Sequence, residues 1–208
     1  MPGSKLPLPW NDFPYSTIGR SLTRPNLHYT MAHFHHNMER ALEELEARGY
    51  RRPAFVEDSY MQQRQDHVSR KIFESHQYNL PPKKRIDPTL HDGWKLDDMK
   101  QWMDANRPDA VISSSPHILE MIRELGYRVP EEIGFITLTW RTQAAECSGL
   151  RQAFHAIGAG TVDLIIGQLH RNERGIPARQ RAMLFEGDWI EGHTLRPRPE
   201  EATVAGTT

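Results

Sequence analysis

Three things are scarce in this chain of 208 residues, and each scarcity removes a class of function. Cysteine occurs once, at Cys147. That excludes an intramolecular disulfide and any zinc site built on several cysteines. A single thiol of this kind reads as a buried or bystander group rather than a nucleophile. Long apolar runs are missing too, since no stretch approaches the roughly 20 apolar residues needed to span a bilayer. Met1 to Trp10 lacks the basic-then-apolar pattern of a secretory signal, so a cytoplasmic location is expected. Surplus positive charge is the third absence: Lys plus Arg number 26 against 27 Asp plus Glu. Modules that bind nucleic acid carry a basic patch or stripe. Arg51-Arg52 and Lys83-Lys84-Arg85 are short clusters and read as solvated surface.

Enzyme signatures are equally thin. The chain has no Gly-x-Ser-x-Gly, no phosphate loop ending in Gly-Lys-Ser/Thr, no His-Glu-x-x-His and no Gly-x-Gly-x-x-Gly. Ser115 and His117 have no third partner in view, and a catalytic role is not expected. His33, His35 and His36 invite a metal reading. Zinc wants three or four ligands in tetrahedral array, and no carboxylate or cysteine nearby completes the set. They read as exposed imidazoles where a helix begins, and neither metal nor cofactor is expected.

What is present is alternation. Strand-like runs at 15–18, 29–32, 53–56, 110–113 and 133–138 are interleaved with helical patterns at 37–48, 66–76, 96–106, 117–125 and 155–170. Two short strands, 183–186 and 188–190, follow. Alternation of this kind is the signature of a parallel α/β sheet. Residues 57–64, 80–92 and 143–149 read as connections. The Gly158-Ala-Gly160 stretch within the last helix suits close packing. Both ends, 1–12 and 196–208, read as loose tails.

The most specific stretch is Gly126-Tyr-Arg-Val-Pro-Glu-Glu-Ile-Gly-Phe-Ile136. Before it, Ile118, Met121, Ile122 and Leu125 recur at i, i+3, i+4 and i+7, giving one apolar helical face. Gly126 can take the left-handed cap conformation that ends such a helix. Pro130 favours extended geometry at Val129, and a buried strand follows. This helix–turn–strand unit resembles the sensor domain of the lactose-repressor (LacI/GalR) family of transcription regulators. Leu45-Glu-Ala-Arg-Gly49-Tyr-Arg-Arg-Pro-Ala-Phe55, Arg107-Pro-Asp-Ala-Val-Ile112 and Leu150-Arg-Gln-Ala-Phe154 with Gly158 and Val162 resemble further family segments in the same order. The likeness runs from about Phe13 to Leu195.

The resemblance implies a doubly wound parallel α/β fold of the type I periplasmic-binding-protein kind. Its carboxyl-terminal lobe would be complete (34–151 and 186–195) and its amino-terminal lobe partial (13–33 and 152–185). It implies a hinged sensor for a small-molecule effector, such as a sugar, working as a homodimer. Operator DNA would be reached only through a helix-turn-helix headpiece that this sequence does not contain. With part of one lobe missing, exposed sheet edge and apolar surface are expected, and with them self-association. Two rivals share the fold class: a periplasmic-type solute-binding lobe, and a divergent α/β enzyme or an interaction lobe without a small ligand.

Ligands of open α/β sheets bind outside the carboxyl ends of the strands. That rule selects residues 57–64, 113–117 and 138–141, and the resemblance adds the lobe junction. The candidate ligand-binding residues are therefore Arg64, Ser115, Trp140, Arg141, Gln152 and Phe154. Trp140 would give a flat apolar face, and Arg64 or Arg141 charge-assisted hydrogen bonds. Sugar-binding members carry an aspartate where Gly19 stands, an Arg-x-x-Gly where Ser69 and Ile72 stand, an Asn-Asp pair where Ser115-Pro116 stand and an aspartate near Trp140. Gln152 and Phe154 match the family pattern.

Overall fold

The computed structural model describes residues 8–22 and 24–199. The loose tails expected at 1–7 and 200–208 fall outside the described residues. Nine strands form two sheets. The smaller joins β1 (Ser16–Ile18), β2 (His28–Ala32) and β8 (Ala182–Phe185), all parallel, in the order β1-β2-β8. The larger runs β4-β3-β5-β6-β7-β9, from β3 (Pro53–Glu57), β4 (Thr89–Leu90), β5 (Ala110–Ser113), β6 (Gly134–Thr137), β7 (Ser148–Arg151) and β9 (Asp188–Ile190). Only β9 is antiparallel to its neighbour. This is the parallel-dominated α/β fold that the alternating pattern implied, doubly wound as the family resemblance implied.

The large sheet is covered on both faces, which is why β3, β5 and β6 are buried at every position. Their side chains alternate between two apolar clusters. Phe55, Ile112 and Ile136 face α1 (Phe34–Ala47) and α3 (Val68–Asn79), through Met38, Leu42, Leu45 and Phe73. Val56, Val111 and Phe135 face α4 (Leu96–Asn106) and α5 (Pro116–Glu124), through Met99, Met103, Ile118 and Ile122. Gly126 ends the latter helix with φ +89°, and Gly49 follows α1 with φ +79°. Both take the left-handed conformation that glycine adopts without steric cost. The Val129–Pro130 peptide is cis.

The small sheet carries α6 (Phe154–His170). Gly160 explains how closely that helix sits, since a Cβ there would lie 2.5 Å from Phe185 Cζ. Gly158, by contrast, has open space beside it. Thr30 Oγ1 donates to the Ile157 carbonyl at 3.1 Å, tying β2 to the same helix. The chain passes between the sheets three times: at β2 to α1, at β7 to α6, and at β8 to β9. Hydrogen bonds hold these crossings together. His33 N–H donates to Phe185 O at 2.7 Å, and Gly187 N–H donates to Asn37 Oδ1 at 2.9 Å.

Several expectations need correction. The first long helix starts at Phe34 rather than Asn37, so His35 and His36 lie inside it. His33 is its cap, with Nδ1 accepting from His36 N–H at 3.0 Å. His35 faces Glu39 at 3.0 Å and His36 faces Glu186 at 3.7 Å. The connection at 57–64 contains a short helix, α2 (Ser59–Arg64), capped by Asp58. Asp66 and His67, both at positive φ, then turn the chain into α3 at Val68 rather than Asp66. The connection at 143–149 runs into β7, and the polar stretch at 80–92 adds the two-residue β4. Nor is the start of the carboxyl-terminal segment loose. Arg196 N–H donates to Tyr50 Oη at 3.1 Å, and Arg198 donates to Glu44 Oε1 at 2.6 Å.

Candidate functional site

The carboxyl ends of strands from both sheets converge on one cleft of about 190 Å³. From the small sheet come Ile18, Gly19 and Arg20 after β1, and Met31 and Ala32 at the end of β2. From the large sheet come Met61, Arg64 and Gln65 on and after α2, and Thr139 and Arg141 after β6. Gln152, Phe154 and Ile157 close it at the β7–α6 crossing, with Phe34 at the α1 crossing. The strand-end rule thus operates twice, once for each sheet.

Four of the six candidate residues line this cleft: Arg64, Arg141, Gln152 and Phe154. Phe154 is 59% exposed, leaving its ring available to a bound molecule. Arg64 Nη1 donates to Tyr60 Oη at 2.9 Å, and its guanidinium carbon lies 5.4 Å from the Tyr60 ring centroid. Trp140 and Ser115 lie apart from the cleft. Beyond β6 the chain bends at Leu138 and Thr139 before Arg141 returns to extended backbone (φ −141°, ψ 158°). Thr139 and Arg141 line the cleft while Trp140 packs on the apolar cluster beneath α4 and α5. Ser115 occupies the N-cap of α5 with Pro116 behind it, and its N–H donates to Ser113 Oγ at 3.1 Å.

The sequence did not point to Arg20 or Gln65, whereas Thr139 lies within the selected segment 138–141 without having been singled out. Arg20 follows β1 and forms an ion pair with Asp66 at 2.5 Å, bridging the small sheet to the α2–α3 turn. The strand-end rule, applied to the two amino-terminal strands as well as to the later ones, would have found it. Gln65 is 1% exposed and lies just past a helix that has no apolar periodicity to reveal it.

A second polar group lies at the ends of β3, β4 and β5. Glu57 is fully buried, with Oε1 accepting from Asp58 N–H at 3.1 Å and Oε2 from Ser114 N–H at 3.2 Å. Burial pushes its carboxyl up to about 7, against the partial relief from Ser114 and Asp58. Glu57, Asp58 and His91 each place one donor atom within 4.8 Å of the others, the arrangement among the described residues that comes nearest to a cation site. Asp58 Oδ1 is engaged as the α2 cap, accepting from Met61 N–H at 2.6 Å, so the trio first serves to fix these loops. The Cys147 thiol is buried and pushed up to about 11 by that burial, which suppresses the reactive thiolate.

The sequence matches the model of the periplasmic binding protein-like domain over residues 42–195. No curated protein matches it. Solved structures of similar fold include a LacI family transcriptional regulator from Enterococcus faecium with bound ribose, at TM-score 0.66 and 14% identity, covering 88% of this chain and 71% of that one. A periplasmic binding protein/LacI transcriptional regulator from Alkaliphilus metalliredigens complexed with D-xylulofuranose superposes at TM-score 0.67 and 15% identity, covering 89% and 72%. A third, the transcriptional regulator CelR in complex with cellobiose, gives TM-score 0.65 and 18% identity, covering 87% of this chain but 58% of its own. At such identities the likeness is one of fold.

Proposed function

Because this chain belongs to the periplasmic binding protein-like domain family, we propose that it is the effector-sensing region of a LacI-type transcription regulator. The observation that carries the reading is the cleft itself, lined from both sheets at their strand ends and closed by Gln152 and Phe154. Three proteins of similar fold hold a sugar: ribose, cellobiose and D-xylulofuranose. That supports a sugar or related polyol as the ligand class here. Phe154 supplies an apolar face for a ring, while Gln152 and the arginines supply hydrogen bonds.

The three crossings make a hinge, and ligand would act by favouring one spacing of the two sheets. A ligand shifts such an equilibrium only by its differential affinity for the two states. The Arg20–Asp66 ion pair links the small sheet to the α2–α3 turn and would have to adjust if the two sheets changed spacing. In a full regulator the movement would be read by a partner subunit and relayed to a DNA-binding headpiece. Dimerisation, operator binding and a cytoplasmic setting are parts of this proposal. Among the described residues no helix is long and apolar enough to cross a membrane. The residues of the cleft act by binding, and no catalytic step is proposed for them. The competing reading, a periplasmic-type solute-binding lobe, would use the same cleft without DNA.

A thermal-shift series against neutral and charged sugars tests the reading. Stabilisation grows with ligand concentration over Kd, about 2.7 kcal/mol at a hundredfold excess. A saturable shift that is lost in Phe154→Ala and Gln152→Ala places the ligand in the cleft. A shift that survives both substitutions removes it from there.

A further inference from the structure

Among the polar side chains lining the cleft, guanidinium and amide donors predominate and there is no carboxylate. Three guanidinium groups line it: Arg20, Arg64 and Arg141. Arg20 is neutralised by Asp66 at 2.5 Å. Arg64 is bonded to the Tyr60 hydroxyl and pairs with no carboxylate among the described residues. The Arg141 side chain makes no hydrogen bond or ion pair among the described residues.

A buried donor joins them. Gln65, 1% exposed, accepts from Ser69 Oγ at 2.5 Å through Oε1. That bond fixes the amide so that Nε2 is the remaining group, and Nε2 is buried with no partner. Buried donors are almost always paired, and because Gln65 lines the cleft, an acceptor on a bound molecule would pair this one. The amino end of α6 adds a third element. Its N-cap, Ala153, offers no side-chain cap, and Gln152 and Phe154 bring that end to the cleft wall. The positive end of the helix dipole favours an anion there.

Neutral sugars present hydroxyls that both donate and accept, and their sites need acceptors as well as donors. Here acceptor capacity rests on Gln152 and on Thr139, whose hydroxyl already donates to Ser114 O at 2.8 Å. We propose that the cleft takes a small anionic ligand, a polyol carrying a phosphate monoester or carboxylate. Arg64 and Arg141 hold the anion by charge-assisted hydrogen bonds, Gln65 Nε2 donates to it, and Phe154 faces the ring. This rests on the small-molecule sensor reading and names the chemistry of its ligand.

The test is titration calorimetry of the intact chain with matched probes: D-ribose and D-ribose 5-phosphate, D-glucose, D-glucose 6-phosphate and D-gluconate, and inorganic phosphate. The expected result is that an anionic probe binds about tenfold or more tighter than its neutral parent, with affinity falling as salt rises. Arg141→Gln and Arg64→Gln each remove about tenfold of that affinity and leave any binding of the neutral parent nearly unchanged. Arg123→Gln, which breaks a surface pair with Glu146, changes neither. A neutral sugar binding as tightly as its phosphate overturns the anionic assignment and leaves the sensor reading standing. Inorganic phosphate binding as tightly as the sugar phosphates overturns the polyol part. Failure of every probe to bind the folded chain overturns both readings together.

Discussion

Glu57 gives the fold a pH dependence whose sign and size follow from its surroundings. It is the last residue of β3, fully buried, and its carboxyl is pushed up to about 7 by that burial. In the unfolded chain the same group titrates near 4.5. The folded state therefore holds the proton more tightly, and between these two values it carries more protons than the unfolded state. Stability must fall as pH rises through that window, because ionising Glu57 means burying a charge. From 4.5 to about 7, at about 1.4 kcal/mol per unit, the loss is about 3 kcal/mol. Below the window the contribution is complete, and above it the loss has levelled off. Against the roughly 5–15 kcal/mol typical of a domain, that is large enough to measure.

The assay is urea unfolding at a series of pH values between about 5 and 8, for the native chain and for Glu57→Gln. The amide cannot accept from both Asp58 and Ser114 N–H, so the variant pays a fixed cost at every pH. That cost does not change with pH, so the slope of the difference isolates the titration. The variant should gain on the native chain steadily towards alkaline pH, by a few kcal/mol over the window. A difference that stays flat, or that favours the native chain as pH rises, refutes the reasoning.

Three further outcomes are expected. Gly149→Ala should cost about 2 kcal/mol or more in urea unfolding, because the added Cβ would lie 2.1 Å from the Thr137 carbonyl oxygen, a backbone atom that cannot swing aside. The native chain should elute above monomer size in gel filtration, because Val162, Ile166 and Leu169 form an exposed apolar stripe on α6 while Leu184 is exposed on β8, an edge strand. Val162→Glu with Ile166→Lys should move the peak towards the monomer, whereas a sharp monomer peak from the unsubstituted chain would contradict this. Cys147 should resist a disulfide-exchange reagent in the folded protein and react promptly in urea, since burial both shields the thiol and pushes it up to about 11.

The legible parts of this fold are those where one local signal suffices. Phe55, Ile112 and Ile136 sit in continuous apolar runs that only a strand covered on both faces would tolerate, and all three are in the core. Gly126 and Gly49 mark helix ends because the left-handed turn required there suits glycine. The short helix α2 was hidden because Ser59-Tyr-Met-Gln-Gln-Arg64 has no apolar face, and its start depends on one capping bond from Asp58. β7 was hidden because Ser148-Gly-Leu-Arg151 has little intrinsic strand preference; pairing with β6 and β9 makes it a strand.

At the cleft the division is the same. The amino-acid sequence by itself determined the alternating α/β order, the strand ends where a ligand belongs, and the candidacy of Arg64, Arg141, Gln152 and Phe154. Only the tertiary structure decided that Trp140 packs half-buried against the core while its neighbours Thr139 and Arg141 line the cleft. It also brought Arg20 and Gln65 to the same wall from segments some 45 residues apart, because β1 and the α2–α3 turn meet across two different sheets. Periodicity records which way one segment faces, and which segments face each other is settled by packing.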